Sequence, residues 1–195
     1  QMFGLGTTSG MEIPEADPQI SDDSSVPSAI GQGTNNYTVS QINRYVTAVA
    51  NRGTVYSLSL IDKTTDSNGK LIKDYTPEVV NQMDEISSST WDLVHNGMES
   101  MVKSSSTFAG MDISMGGKTG TAQYSKIHAD NVLFVGYAPT DSPEISIAVR
   151  IANGYASTYA AEIGRDITKV YFNPESADEL LQGYASSLGS AGAGD

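Results

Sequence analysis

The run Gly116-Gly117-Lys118-Thr119-Gly120-Thr121-Ala122-Gln123 packs a cation, two hydroxyls and three glycines into eight residues. Two chemistries compete for it. A phosphate-cradling loop needs G-x-x-x-x-G-K-[ST], and Gly117-Lys118-Thr119 satisfies its end. The first glycine of that pattern would fall at Asp112, whose carboxylate repels phosphate. The run also leads into strand-like residues instead of opening a helix, and no βαβ context surrounds it. The second chemistry is a K-T-G strand bordering an acyl-transfer cleft. A strand flanking such a cleft can point Lys118 and the hydroxyls of Thr119 and Thr121 into it, while Gly120 leaves room for a ligand to pair with the backbone. Thr119 and Thr121 share a face with Lys118 only if the strand departs from ideal alternation, so a twist or bulge is expected. On glycine and threonine content alone, an ordinary edge strand accounts for the run equally well.

Composition narrows the classes. The chain has 195 residues, enough for about one domain with a real core. Its 11 Lys and Arg stand against 23 Asp and Glu, a net charge of −12, which argues against a phosphate-tracking nucleic-acid binder. The count of Cys is 0, which removes disulfides, thiolate zinc sites, iron-sulfur clusters and Cys nucleophiles together. His95 and His128 have no metal-ligand spacing, and no metal or cofactor is expected. No apolar run approaches the ~18 residues that suggest a spanning helix. The opening QMFGLGTTSG has neither an initiator Met nor a leader, and reads as the interior of a longer polypeptide.

The elements that would position the run follow from periodicity. Residues 1–32 form an ordered loop with Phe3, Leu5, Met11, Ile13 and Ile30 spaced as anchors. A helix runs from Val39 to Asn51, with Thr38 and Gln41 in capping-box order and Gly53 past its end. TVYSLSLID from Thr54 alternates as a strand, and DSNGK supplies an Asn-Gly turn. A second helix starts near Ser89 and carries Trp91, Val94, Met98, Met101 and Val102 inward, at a cost of ~1 kcal/mol for its interior Gly97. Three strands follow, MGGKTGTAQYS, NVLFVGYAP and EISIAVRIA, the last two joined by a TDSP turn. A last helix, Thr158 to Phe172, presents Ala161, Ile163, Ile167, Val170 and Tyr171 for burial. Residues 1–172 form the folded part; 173–195 are an acidic, then Gly/Ala/Ser-rich tail with a frayed end. The fold class is α+β, a three-stranded antiparallel sheet flanked by helices, with an open edge that wants strands from elsewhere or another chain.

Four motifs in fixed order make the resemblance specific: FGLG at Phe3; AIGQG at Ala29 to Gly33, followed by Thr38-x-x-Gln41-x-x-x-Tyr45 and Ala50-Asn51-x-Gly53; Trp91-x-x-Val94-x-x-Gly97-Met98; and GKTGTAQ. From Phe3 to Tyr171 the chain resembles the C-terminal half of the transpeptidase domain of class B penicillin-binding proteins. The resemblance implies a β-lactamase-like transpeptidase fold in a D-alanyl-D-alanine transpeptidase that crosslinks peptidoglycan and is acylated by penicillins. Alternatives on the same fold are a carboxypeptidase, a β-lactamase or a non-catalytic penicillin- or peptide-binding module. It further implies Lys118 and Thr121 as catalytic residues, the N–H of Thr121 being one oxyanion donor. Thr119, Gly120, Thr121 and Gln123 would bind a stem peptide or β-lactam. It places the parent protein at the extracytoplasmic face of the bacterial membrane, anchored through a region N-terminal to this chain.

The family's nucleophile motif S-x-x-K and its S-x-N both precede FGLG, and no S-x-N occurs here. S-x-x-K occurs at Ser67 to Lys70, in ordinary turn chemistry, and at Ser100 to Lys103, on a helix with no third group to complete a site. The chain therefore carries half an active site, and its expected partner is the N-terminal half of the same domain. Elsewhere bland readings prevail. Trp91, Met98 and Met101 are core, His95 is a partly buried structural residue, and His128 lies in a solvated loop. Tyr37, Tyr45 and Tyr56 are packing residues, and the acidic segment from Asp17 to Asp23 is solvated and lacks EF-hand spacing.

Overall fold

The computed structural model describes residues 2–21, 26–123 and 127–181. Helix α1 (Val39–Ala50) begins as its sequence dictates. The Thr38 hydroxyl accepts from the Gln41 N–H, and the Gln41 side chain accepts in return from Thr38 N–H at 2.8 Å. It stops at Asn51, and Gly53 takes φ 119°, where a Cβ would come within 3.2 Å of both Met83 and Trp91.

Strand β1 (Thr54–Tyr56) is shorter than the alternation of TVYSLSLID predicts. A register shift at Val55/Tyr56 breaks it; Ser57 N–H still donates to Glu78 O, but the Leu58 N–H leaves for Ser9 O, both at 2.9 Å. The Asn-Gly turn forms as expected, with Gly69 at φ 81°, but it joins two short strands absent from the sequence reading, β2 (Lys63–Thr65) and β3 (Leu71–Asp74). Strand β4 (Val79–Gln82), also unanticipated, pairs antiparallel with β1.

Helix α2 (Ser88–Ser104) starts at a Ser87 cap and buries Trp91, His95 and Val102. Val94, expected inward, is 40% exposed, because the buried residues recur four, then seven, positions apart and leave Val94 off that stripe. Then come β5 (Gly116–Ala122), β6 (Asn131–Ala138) and β7 (Ile145–Ile151), an antiparallel sheet in the order β5-β6-β7. Both outer edges lack a neighbouring strand among the described residues. Helices α3 (Ser157–Phe172) and α4 (Ala177–Leu181) end the described chain. No helix among the described residues is long and apolar enough to cross a membrane. The expected frayed end, 182–195, lies outside the described residues.

The sheet is covered unequally. Alternation puts Val132, Phe134, Gly136 and Ala138 of β6 on one face, and α3 packs there. Its buried residues are Ala160, Ala161, Gly164 and Thr168, while Ile163, Ile167 and Tyr171, expected in the core, are 43%, 45% and 52% exposed. Small residues face the sheet because the helix backbone must clear the Phe134 ring. α1 and α2 lie on the opposite face. Thr47 Oγ1 meets Ser146 Oγ at 2.6 Å, and the His95 ring lies 5.2 Å from that of Tyr137. A second core of Ala48, Val49, Val55, Met83 and Trp91 joins α1, α2 and β1.

The N-terminal loop is held by polar groups more than by its apolar residues. Phe3 packs edge-on against Tyr45 and Trp91, but Ile13 and Ile30, expected as anchors, are exposed. Buried Arg44 donates to the carbonyls of Gly4, Thr7 and Thr8. Glu15 accepts from Ser9 N–H and Oγ at 2.7 Å each and from Ser40 Oγ. Burial alone would raise the Glu15 pKa, but the hydrogen bonds from Ser40, Ser9 and Gly10 outweigh it and hold the carboxyl below the usual carboxylate range. A depressed folded-state pKa contributes stability that is present above the unfolded value of about 4.5 and lost as pH falls through the folded one. Glu15→Gln is expected to cost about 1–2 kcal/mol at pH 7 and to flatten the acid limb of stability below about pH 4.5. Urea titrations of both proteins from pH 3 to 7 check this; parallel pH profiles would refute it.

Candidate active site

Strand β5 is brought against β6 by two glycines. A Cβ on Gly116 would sit 2.7 Å from Tyr137 Cζ, and one on Gly117 would sit 2.7 Å from Phe134. One ring therefore lies under each glycine, Tyr137 on the α1/α2 face and Phe134 on the α3 face. The pairing then runs from Gly116↔Tyr137 to Ala122↔Asn131 with no register shift. The expected bulge is absent: seven successive pairings follow the regular two-residue period, so Lys118 and Gly120 lie on one face while Thr119 and Thr121 leave by the other.

What unites these residues is the free edge of β5. Lys118 is exposed, and its Nζ curls over the strand to donate to the Thr119 carbonyl at 2.7 Å. That carbonyl is thus turned away from β6. Because backbone polar groups alternate in direction along a strand, the N–H of Thr121 points to the same outer edge. Thr119 is half-buried, Thr121 exposed, and Gln123 exposed just beyond the strand end. A cation, an outward carbonyl and an outward N–H line one edge, with the Thr119 and Thr121 side chains on the face opposite Lys118.

Gly120 differs from its neighbours. A Cβ there would meet only Leu133 Cβ at 3.7 Å, ordinary contact, so this chain's own packing does not require a glycine. Gly117→Ala is expected to destabilise by about 1–3 kcal/mol through overpacking, whereas Gly120→Ala stays within about 1 kcal/mol of wild type. Equal losses in urea unfolding would refute the distinction.

Neither local S-x-x-K forms a nucleophile site. Ser67 is exposed in the β2-β3 turn, where Asp66 Oδ1 accepts from the N–H groups of Asn68 and Lys70 at 2.9 Å each. Ser100 is exposed on the side of α2 opposite Trp91, His95 and Val102, and the Lys103 ammonium is paired with Glu99 at 2.8 Å. His95 is structural, as expected: buried, with Nε2 2.7 Å from Val49 O. His128 is exposed in its loop.

The sequence reading passed over Tyr137. Its hydroxyl is buried with no hydrogen-bond partner, and burial, reinforced by Glu99, pushes its pKa up to about 12. The apolar alternation of NVLFVGYAP marks this residue as core and carries no sign of the stranded hydroxyl. Tyr137→Phe is expected to leave stability unchanged or raise it by about 1 kcal/mol, since an unsatisfied polar group is removed at constant ring packing. A loss above about 1 kcal/mol in thermal or urea unfolding would refute this.

The family model described as "Penicillin binding protein transpeptidase domain" matches residues 1–169. The chain belongs to the penicillin-binding protein transpeptidase domain family. It is 32% identical over 205 residues to penicillin-binding protein 2A of Bacillus subtilis, aligning 91% of this chain with 28% of that protein. To penicillin-binding protein 2B of Streptococcus pneumoniae R6 it is 29% identical over 195 residues, again 28% of that protein. The solved structure of that 2B protein superposes with TM-score 0.76 at 28% identity, covering 89% of this chain and 32% of the other. The chain thus spans under a third of the length of these relatives. The class B transpeptidase membership and the α+β fold expected from the motifs are both supported.

Proposed function

We propose that this chain supplies the K-T-G wall of the active site of a peptidoglycan D-alanyl-D-alanine transpeptidase. The serine nucleophile is carried by the N-terminal half of the same domain, as a preceding segment or a separate chain. The observation that carries the reading is the outer edge of β5, which has no neighbouring strand among the described residues and where exposed Lys118, the outward Thr119 carbonyl and the Thr121 N–H flank a glycine that internal packing does not need.

In this reading the donor strand lies along β5, with Gly120 admitting its backbone and Thr119, Thr121 and Gln123 lining its path. Lys118 and the threonine hydroxyls hold the terminal carboxylate. The serine Oγ attacks the carbonyl of the penultimate D-Ala, and negative charge collects on that oxygen beside the Thr121 N–H. One such donor is worth about 3–4 kcal/mol in the transition state. The C–N bond to the terminal D-Ala then breaks, and that amine leaves with a proton. An amine of a neighbouring stem attacks the serine ester, forms the crosslinking amide and returns the proton to the serine. β-Lactams enter as donors whose leaving amine stays tethered. The sequence of steps balances without a cofactor. Such a reaction belongs outside the cytoplasmic membrane, where peptidoglycan is built, with the anchor N-terminal to this chain.

Intact-mass spectrometry after exposure to benzylpenicillin tests the assignment, with the N-terminal half present. The adduct is expected on that half, with residues 1–195 unmodified. Lys118→Ala is expected to slow acylation by about a hundredfold or more at unchanged melting temperature. An adduct on Ser67 or Ser100, or none in the complete domain, would overturn the proposal.

A further inference from the structure

The Phe134 ring is held in a socket made of three glycines from three elements. A Cβ on Gly117 of β5 would come 2.7 Å from the ring, one on Gly136 of β6 3.0 Å, and one on Gly164 of α3 closer still. Phe108, its centroid 5.5 Å away, borders the ring as well. Phe134 is fully buried and directly opposite Thr119 in the register. The ring has no open side, so any push from α3 passes through it into the β5 backbone at Gly117, one residue before Lys118. The other face of the strand is blocked by Tyr137 beneath Gly116.

We infer that Phe134, backed by Gly164, is a positioning residue: its ring fixes where β5 places Lys118 and the Thr121 N–H, and so couples the seating of α3 to acyl transfer. This rests on the proposed function, and it adds a group that touches neither substrate nor nucleophile. Side-chain size at 134 and 164 should therefore govern the acylation step more than ligand affinity, because a donor displaced by a fraction of an ångström still binds the ground state but meets the developing oxyanion poorly.

The experiment uses the complete domain, with the nucleophile-bearing half present, and benzylpenicillin as probe. Stopped-flow acylation separates the dissociation constant of the non-covalent complex from the acylation rate constant. Amide exchange of β5 gives a second readout that needs no acylation. Gly164→Ala is expected to lower the rate constant by about tenfold or more with the dissociation constant within about threefold, and to speed exchange in β5. The pair Phe134→Leu/Gly164→Ala, which removes the ring atoms the new methyl strikes, is expected to recover most of both losses. A folded Gly164→Ala protein with wild-type acylation and exchange would overturn the inference, as would a pair no better than the single variant. Should Gly164→Ala not fold, Phe134→Leu alone is measured, and an unchanged rate constant would overturn it equally. Failure of the wild-type domain to acylate would count against the proposed function instead, and the exchange data would still decide the role of Phe134.

Discussion

The rest of the structure depends on how closely β5 can approach β6 and α3. Two consecutive glycines lie over two buried aromatic rings, one on each face of the sheet, and a third glycine lets α3 settle on the same Phe134. Such contacts have no slack. Protein interiors pack at crystal-like density, so a ring gripped on several sides transmits displacement instead of absorbing it. The strand that bears the candidate chemistry is therefore tightly packed at its N-terminal end, where Gly116 and Gly117 are buried, and exposed at Lys118, Thr121 and Gln123. A packed root with an exposed edge suits the binding wall proposed above, since a ligand pairing there would not have to order the strand first.

That rigidity is supported from the opposite face by elements whose own anchoring is polar. α2 spans both cores, with Trp91 in one and Val102 in the other, and His95 between them reaches Val49 O. α1 is tied to β7 by the Thr47–Ser146 contact and to the N-terminal loop by Gln41 and Arg44. These buried polar groups are expensive to strand, so the loop from Gly4 to Glu15 is committed to one path over α1. The chain of dependence runs from that loop, through α1 and the sheet, to β5.

Much of this was legible in the residues, and the failures have physical causes. The limits of α1 followed from side chains that act locally: the Thr38/Gln41 box before it and Gly53 after it. The three long strands followed from alternation, and the candidate edge from GKTGTAQ in its ordered context. The burial of α3 was misread because periodicity ranks Ile163 and Ile167 above Ala160 and Gly164, whereas a helix lying on an aromatic ring needs its small side inward. The segment from Ser57 to Gln82 was misread because its pairing is decided at a distance, by Ser9 O capturing the Leu58 N–H and by β4 returning to pair with β1. The expected bulge in β5 failed for a different reason. It assumed that the Lys118 and threonine side chains must share a face, while what they share is an edge, and an edge is accessible from both faces.

The edge also resolves an electrostatic puzzle. A chain of net charge −12 is a poor attractor for anions such as a carboxylate-terminated peptide or a penicillin. Yet β5, β6 and β7 contain no Asp or Glu, and their only charged residues are Lys118 and Arg150. At physiological ionic strength charges farther than about 8 Å apart are largely screened, so an approaching anion responds chiefly to the charges nearest β5. Lys118 serves in two capacities at once. It gives an acidic protein a local cationic edge, and as an exposed lysine on an edge strand it discourages that edge from pairing with another protein strand. In the function proposed above, a ligand strand that ends in a carboxylate escapes this penalty, because its own charge answers the one that repels other edges.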